Sequence, residues 1–501
     1  MKKTWLILMT TMTLSNLFAN PMGGKRDWEM ILRNDLERMA QNLNETLKPW
    51  DVPNRTFVVE DFGAIGDGKT INTKAIQKAI DACSKQGGGV VMFSKGEYVT
   101  GTFRIKSGVM IEITQDTKIL GSTDLKDYPH CVAKRKTVMD THMDITQSLI
   151  FAEEAECIGL RGPGTIDFRG TRENFPGAET VAKLPGRPFG IRVIDCKRVV
   201  IQNINLTNSG SWMQDYLNCE DLIVDGINNF NHTNFNQDGL DIDGCYRVIV
   251  RNCFFNVYDD SMCFKGASLR TTSDILVENS TFHSLCNSFK FGTDSQADFR
   301  RVLVRNCVLG GPKKGMPTFQ PRGKRTRSST GITLTAVDGS DVEDVLFQNL
   351  TINNADCPFY FQIGTRGRLM PGMPKAPIGR IERIVIENVK GTNNGVQGSL
   401  ITGVKDRFVQ DVIFRNINIE TVGGASPETI NKEVGEHLQK YPDAFQFNQR
   451  IGLPSYGYWF RYARNIELYN VNINPQKKDP RPKFGKGLIV EDIFEDGKQI
   501  F

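Results

Sequence analysis

Val248-Ile249-Val250-Arg251-Asn252 returns 27 residues on as Ile275-Leu276-Val277-Glu278-Asn279, and after a further 27 as Val302-Leu303-Val304-Arg305-Asn306. The repeating unit is three β-favouring residues, one polar residue and an asparagine. Working outward, the unit stands also at Val199-Val200-Ile201-Gln202-Asn203, Val345-Leu346-Phe347-Gln348-Asn349, Ile384-Val385-Ile386-Glu387-Asn388, Val412-Ile413-Phe414-Arg415-Asn416 and Ile466-Glu467-Leu468-Tyr469-Asn470. Leu222-Ile223-Val224-Asp225-Gly226 carries glycine in the asparagine place. Successive final positions are 23, 26, 27, 27, 43, 39, 28 and 54 residues apart, a base period near 27 with two insertions and one near-doubling. Such a period marks a solenoid, in which each unit buries its apolar face only against its neighbours.

The triplets are separated by Gly, Asn and Asp turns, with no long helical pattern between them, so the coil is all-β. About 27 residues per coil accommodate some three short strands, and parallel strands stack at about 4.8 Å. The expectation is a right-handed parallel β-helix with each triplet on its counterpart in the next coil. The recurring asparagine suits a left-handed bend, and its amide is expected to bond the asparagine above in a ladder inside the solenoid. Ala75, Ile76, Ala79, Ile80 and Cys83 lie at helical spacing in Asn72 to Ser84, a short amphipathic helix suited to cap the first coil. Asp27 to Leu43 reads as a second helix. Residues 56–501 are therefore one β-helix domain, preceded by a helical extension over 20–55. The irregular segments Gly311 to Ser329 and Gly423 to Pro454 are expected to wall a groove.

The chain has 501 residues, 39% hydrophobic and 24% charged, with 62 Lys+Arg against 57 Asp+Glu. This excludes a disordered, collagen-like or multi-pass membrane protein. A net charge of +5 is too mild to indicate nucleic-acid binding. Lys2-Lys3 followed by short apolar stretches, Trp5 to Met9 and Leu14 to Ala19, resembles a secretory signal peptide over 1–19, too short to remain as a membrane span. A periplasmic or secreted monomer, with no membrane insertion after cleavage, is expected. The eleven cysteines form no CxxC pair, and several follow a repeat asparagine (Cys253, Cys307), which points to free core thiols.

A repeat converts sequence spacing into proximity. Asp259 and Asp260 follow Asp238 by 21 and 22 residues, close to one coil, so three carboxylates share a face provided that Tyr258-Asp259-Asp260-Ser261 is a bend. Three readings stay open on spacing alone: glycoside hydrolysis, which needs one protonated and one ionised carboxyl, a calcium cluster, and turn-forming aspartates without chemistry.

Phe62-Gly63-Ala64-Ile65-Gly66-Asp67-Gly68, with the helix after it, resembles the N-terminal cap of pectin-active β-helix proteins, epimerases and phage tailspikes. Asn236-Gln237-Asp238-Gly239-Leu240-Asp241-Ile242 and Asp259-Asp260-Ser261-Met262-Cys263-Phe264-Lys265-Gly266 resemble the two acidic motifs of glycoside hydrolase family 28, the polygalacturonases; Gly162-Pro163-Gly164-Thr165-Ile166-Asp167 is similar to bacterial members. The resemblance spans about Thr56 to Val490. It implies inverting hydrolysis of α-linked galacturonic acid or rhamnose bonds in an acidic, pectin-like polysaccharide or its oligosaccharides, with no metal and no cofactor. It further implies Asp259 as general acid, Asp238 and Asp260 as the pair holding and deprotonating water, and Asn236 as an orienting hydrogen-bonding group.

The chain departs from that pattern at two places. Cys286-Asn287-Ser288 stands where the family has Gly-His-Gly, so Asn287 replaces the histidine, and His283 is out of register. Gly331-Ile332-Thr333-Leu334-Thr335 stands where the family has Arg-Ile-Lys, so both substrate-binding cations are missing. Lys265 and Lys290, 25 residues apart and expected to stack, and Arg366 and Arg368 on a turn, are the candidate replacements. Tyr456, Tyr458 and Trp459 suit either a sugar platform or packing. The reading is an exported glycoside hydrolase, exo-acting because long loops narrow a groove to a pocket. The rivals are a lyase or epimerase on the same fold using Lys265 or Lys290 as base, and a non-catalytic glycan-binding solenoid.

Overall fold

The computed structural model describes residues 27–141, 146–177, 186–320, 325–370, 372–436 and 452–501. The leader-like residues 1–19 lie outside them.

The repeat units stack in register as read. Val199 pairs with Leu222, and the row continues through Val248, Ile275, Val302, Val345, Ile384, Val412 and Ile466, every strand parallel to the last. The right-handed parallel β-helix has three faces. One carries the triplets. A second carries short strands such as Phe254–Val257 and Thr281–Ser284, which fuse with the triplets into single long strands such as Asp341–Asn353 and Val409–Gly423 in later coils. The third is a separate twelve-stranded sheet. Eight of its strands matter below: β1 (Gln214–Leu217), β2 (Leu240–Asp243), β3 (Met262–Lys265), β4 (Asn287–Phe291), β5 (Ser328–Ala336), β6 (Ala355–Ile363), β7 (Ser399–Thr402) and β8 (Tyr458–Arg461).

The first and third triplet residues, such as Val248 and Val250, join the interior with the inward side chains of β2 to β5, including Ile242, Phe264, Phe289 and Ile332. The middle residues Val200, Ile223, Ile249, Leu276, Leu303, Leu346, Val385 and Ile413 point outward as an apolar stripe. Helix α1 (Asp27–Thr46) covers that stripe with Leu32, Leu36, Met39, Ala40 and Leu43. Its polar flanks are tied down by Arg33 to Glu387 at 2.6 Å and by Arg415 to Glu29 at 2.7 Å. Helix α2 (Thr73–Lys85) buries the five residues read from spacing and closes the first coil.

The asparagine ladder forms, but on the outside. Asn203, Asn252, Asn279, Asn306, Asn349, Asn388, Asn416 and Asn470 all have φ between +49° and +56°. From Asn279 onward each amide is bonded by the next, at 3.0 to 3.4 Å, along an exposed corner. At this left-handed bend the asparagine side chain leaves the coil, and the next residue turns in: Cys253 and Cys307 are buried. All eleven cysteines are free, nine of them buried.

Candidate active site

Parallel register on the twelve-stranded sheet lines up one outward side chain per strand. Arg192, Asp215 (β1), Asp241 (β2), Cys263 (β3), Lys290 (β4), Thr333 (β5) and Tyr360 (β6) form a row about 4.8 Å apart. Alternation along each strand sends their neighbours into the core. The acids read from sequence sit just before the strands: Asp238 before β2, Asp259 and Asp260 before β3. Residues 258–261 are a bend, which lets consecutive aspartates converge, and carboxyl oxygens of Asp259 and Asp260 lie within 4.8 Å of each other and of Cys286 Sγ. Gly239 N–H donates to Asp260 O at 2.8 Å. A Cβ on Gly239 would stand 2.6 Å from Ser261 O, so this close approach of neighbouring coils requires glycine.

The two expected lysines face the same side but do not stack. Lys290 pairs across the strands with Cys263, two residues from Lys265. Lys290 Nζ donates to Asp260 Oδ2 at 2.8 Å. Lys265 Nζ stands 3.1 Å from Asp241 and 3.6 Å from Asp238, over the ring of Trp212. Asn287, in the place of the family histidine, donates from Nδ2 to Asp260 Oδ1 at 2.6 Å, and its Oδ1 accepts from Thr330 Oγ1 at 2.8 Å and, at 3.5 Å, from Thr333 Oγ1. Both departures from the family pattern therefore meet at one point, where Lys290, beside Thr333 in the register, supplies a cation.

These contacts divide the buried carboxyls. Burial alone would push Asp260 up, but Lys290, Lys265 and the Asn287 amide reverse this and hold it below the ordinary carboxylate range. Burial, reinforced by repulsion from Asp241 and Asp259, pushes Asp238 well above that range. Asp241 is pushed to about 8, chiefly by burial. Burial disfavours the Lys265 ammonium, yet Asp241 and its other neighbours overcome this and keep it charged. The site thus holds a carboxylate kept ionised beside carboxyls inclined to hold a proton.

Asn236 takes φ +50°, and Arg187, 1% exposed, donates to its Oδ1 at 2.8 Å. Arg187 was missed in the sequence because it lies 49 residues away outside the repeat. Asp215 and Asp241 were missed although their spacing of 26 residues, one coil, carried the signal. Arg366 is committed to Asp338, with Nε–Oδ1 at 2.9 Å, and is almost wholly buried. Arg368 is 3.4 Å from Asp294 with its side chain 29% exposed. His283 lies on another face against Phe254, pushed by burial to about 4. Tyr458 is no sugar platform: it is a core ring stacked on Phe359 and Phe460. Trp459 points outward, packed against the cluster of Cys357, Tyr360, Leu400 and Leu453.

Two insertions frame the centre. Phe319, from the 311–329 segment, packs edge-on against Tyr258 and Phe235 at 5.0 and 5.4 Å between ring centres. Met370 joins Val138, Met139, Phe189, Trp212 and Ala267 in one apolar cluster, so segments from distant coils meet over the sheet beside Lys265. Of the 423–454 segment, residues 437–451 lie outside the described residues. Among those described, Asp259, Asp260 and Cys286 are a set that could hold a metal ion, but the Lys290 ammonium already compensates Asp260.

A parallel β-helix carrying an acid cluster on an outer sheet face, framed by inserted loops, defines a pectate-lyase-like protein. Residues 56–316, just over half of the chain, match the family described as rhamnogalacturonase A/epimerase, pectate lyase-like, and the chain belongs to that family as a divergent relative of glycoside hydrolase family 28. It is 29% identical over 217 residues to a probable polygalacturonase of Vitis vinifera, covering 41% of this chain and only 43% of that relative. It is 21% identical over 435 residues to an exo-poly-alpha-D-galacturonosidase of Dickeya chrysanthemi, covering 74% and 68%. The structure of the family 28 exopolygalacturonase of Yersinia enterocolitica superposes with a TM-score of 0.66 at 18% identity, over 89% of this chain and 80% of that one, a likeness of fold.

Proposed function

We propose that the protein is an inverting, exo-acting glycoside hydrolase that cleaves α-glycosidic bonds of galacturonic acid or a related sugar in pectin-like acidic polysaccharides or oligosaccharides. The observation that carries this reading is the convergence of Asp238, Asp259 and Asp260 in unlike electrostatic surroundings. Asp259, the half-buried member, gives its proton to the glycosidic oxygen as the C1–O bond breaks. Water attacks C1 from the opposite face, and its proton passes to Asp260, which Lys290 and Asn287 keep ionised. Asp238, protonated more readily, orients that water by hydrogen bonding, and Asn236 helps to place it.

The packing of Met370 against Val138 and Met139, from distant coils, supports the expectation that inserted segments narrow the substrate groove, on which exo action rests. A lysine base, as in a lyase, is disfavoured at Lys290, which donates to the ionised Asp260 at 2.8 Å. Export to the periplasm or beyond rests on the leader-like residues 1–19, and N-terminal sequencing of the mature protein tests it.

The deciding experiment incubates wild type and Asp259→Asn with pectic and other acidic oligosaccharides while recording reducing ends and unsaturated-uronate absorbance. New reducing ends without absorbance, lost in the variant, are expected. Absorbance gain would transfer the site to lyase chemistry, and silence in both channels would favour a glycan-binding solenoid.

A further inference from the structure

On the outward face of β6 to β8, well beyond the acids, lies a cluster of buried donors that the proposed reaction does not use. Arg461 is 4% exposed. Its Nε donates to Thr402 Oγ1 at 3.0 Å and its Nη1 to the carbonyls of Val434 at 2.8 Å and Gly435 at 3.2 Å, all neutral partners. Its Nη2 is buried with no hydrogen-bond partner. Trp459 Nε1, two residues earlier on β8, and Gln362 Nε2, on β6, are buried and unpartnered too. Register places Gln362, Thr402 and Arg461 side by side on three successive strands. Gln362 already accepts from the Tyr360 hydroxyl, so its amide faces the cluster as a donor only.

The charges point the same way. Lys432, on the segment over these strands, donates to Gly452 O at 3.1 Å, and burial pulls its pKa and that of Arg461 down. Glu436, on the same segment, accepts from the Tyr462 hydroxyl at 3.1 Å. Two unpartnered donors, Trp459 Nε1 and Gln362 Nε2, beside a buried guanidinium whose Nη2 is unpartnered too, form an environment short of acceptors, and the one carboxylate that acts on Arg461, Glu436, is engaged by the Tyr462 hydroxyl. A further carboxylate supplies acceptors and negative charge, and a guanidinium grips it through two parallel N–H bonds.

We propose that Arg461, Gln362, Thr402 and Trp459 form a second carbohydrate site, which takes the carboxylate of a uronate. Arg461 lies in the same outward row as Lys265, five strand steps or about 24 Å along the solenoid, so the site is distinct from the acids. The choice of a uronate, rather than another carboxylate, rests on the acidic-sugar reading above. Two sources supply it: a free monosaccharide, and the distal unit of a long chain engaged at Asp259.

The test is calorimetric titration of the Asp259→Asn protein, in which turnover is blocked, with D-galacturonate, glucose, inorganic phosphate and a long oligogalacturonide. Galacturonate is expected to bind saturably and glucose not at all. Adding Arg461→Met should weaken binding at least tenfold, Arg461→Lys less, and Gln362→Leu severalfold, each checked by thermal melting. Loss with the monosaccharide assigns the free sugar, and loss confined to the oligomer assigns the distal unit. Phosphate binding as tightly as galacturonate, or binding unchanged in a folded Arg461→Met or Gln362→Leu protein, overturns the proposal. The readout is binding, so absence of hydrolysis by the wild type would refute the proposed function and leave this result standing.

Discussion

Asn287 Nδ2 lies 2.6 Å from Asp260 Oδ1, so the residue that stands where the resembling motif has histidine holds a carboxylate that its neighbours keep ionised. Thr330 fixes the amide by donating to its oxygen, which leaves the NH₂ group facing Asp260. The replacement thus changes a titrating ring into a neutral donor of fixed orientation.

Removing that donor should be visible in the pH profile. Asn287→Ala deletes a hydrogen bond to a charged group, a contribution of about 1.5–3 kcal/mol, and Asp260 then ionises less readily. The acidic limb of kcat/KM is expected to move to higher pH, with a smaller change in KM than in kcat. A profile superimposable on wild type would remove Asn287 from the site's electrostatics.

Lys290→Met should do more, because Lys290 and Asp260 form a buried pair with side chains 3% and 5% exposed. Breaking such a pair costs about 3–5 kcal/mol. The sign follows from linkage: the folded-state pKa of Asp260 is depressed, so its stabilisation is present above the unfolded carboxylate value and is lost as pH falls through the folded one. Thermal melts of wild type and Lys290→Met should therefore differ most near neutrality and converge in acid.

Asp241 should act with the opposite sign. Its folded pKa is raised to about 8, so its ionisation opposes folding increasingly as pH rises from the ordinary carboxylate value toward 8. Asp241→Asn should flatten this part of the stability profile, measured as melting temperature between pH 4 and 8. An unchanged slope would show that Lys265 compensates Asp241 fully.

Leu36→Ala, in the middle of α1, should destabilise the protein by about 2–5 kcal/mol through the cavity it leaves against the outer stripe. Turnover per folded molecule should be unchanged, since α1 packs on the triplet face and the acids lie on another. Denaturant midpoints and specific activity measured together separate the two effects.

The coil, its period and its register were legible in the triplets, because a solenoid repeats one local solution and stacks it: Val199 to Ile466 form a single row as spacing predicts. The three aspartates were legible for the same reason, one coil being one strand spacing. The outward course of the asparagine ladder was not, since the pattern shows that a bend occurs but not on which side its side chain leaves. The partners of the cations were not legible either. Arg366 and Lys290 look alike in sequence, yet one is spent on Asp338 and the other on Asp260. Sequence by itself determined the solenoid and the acids, because both follow from a regular period. Tertiary structure alone decided where α1 lies, how insertions from distant coils meet, and which carboxyl keeps its charge, because these depend on contacts between residues that no period relates.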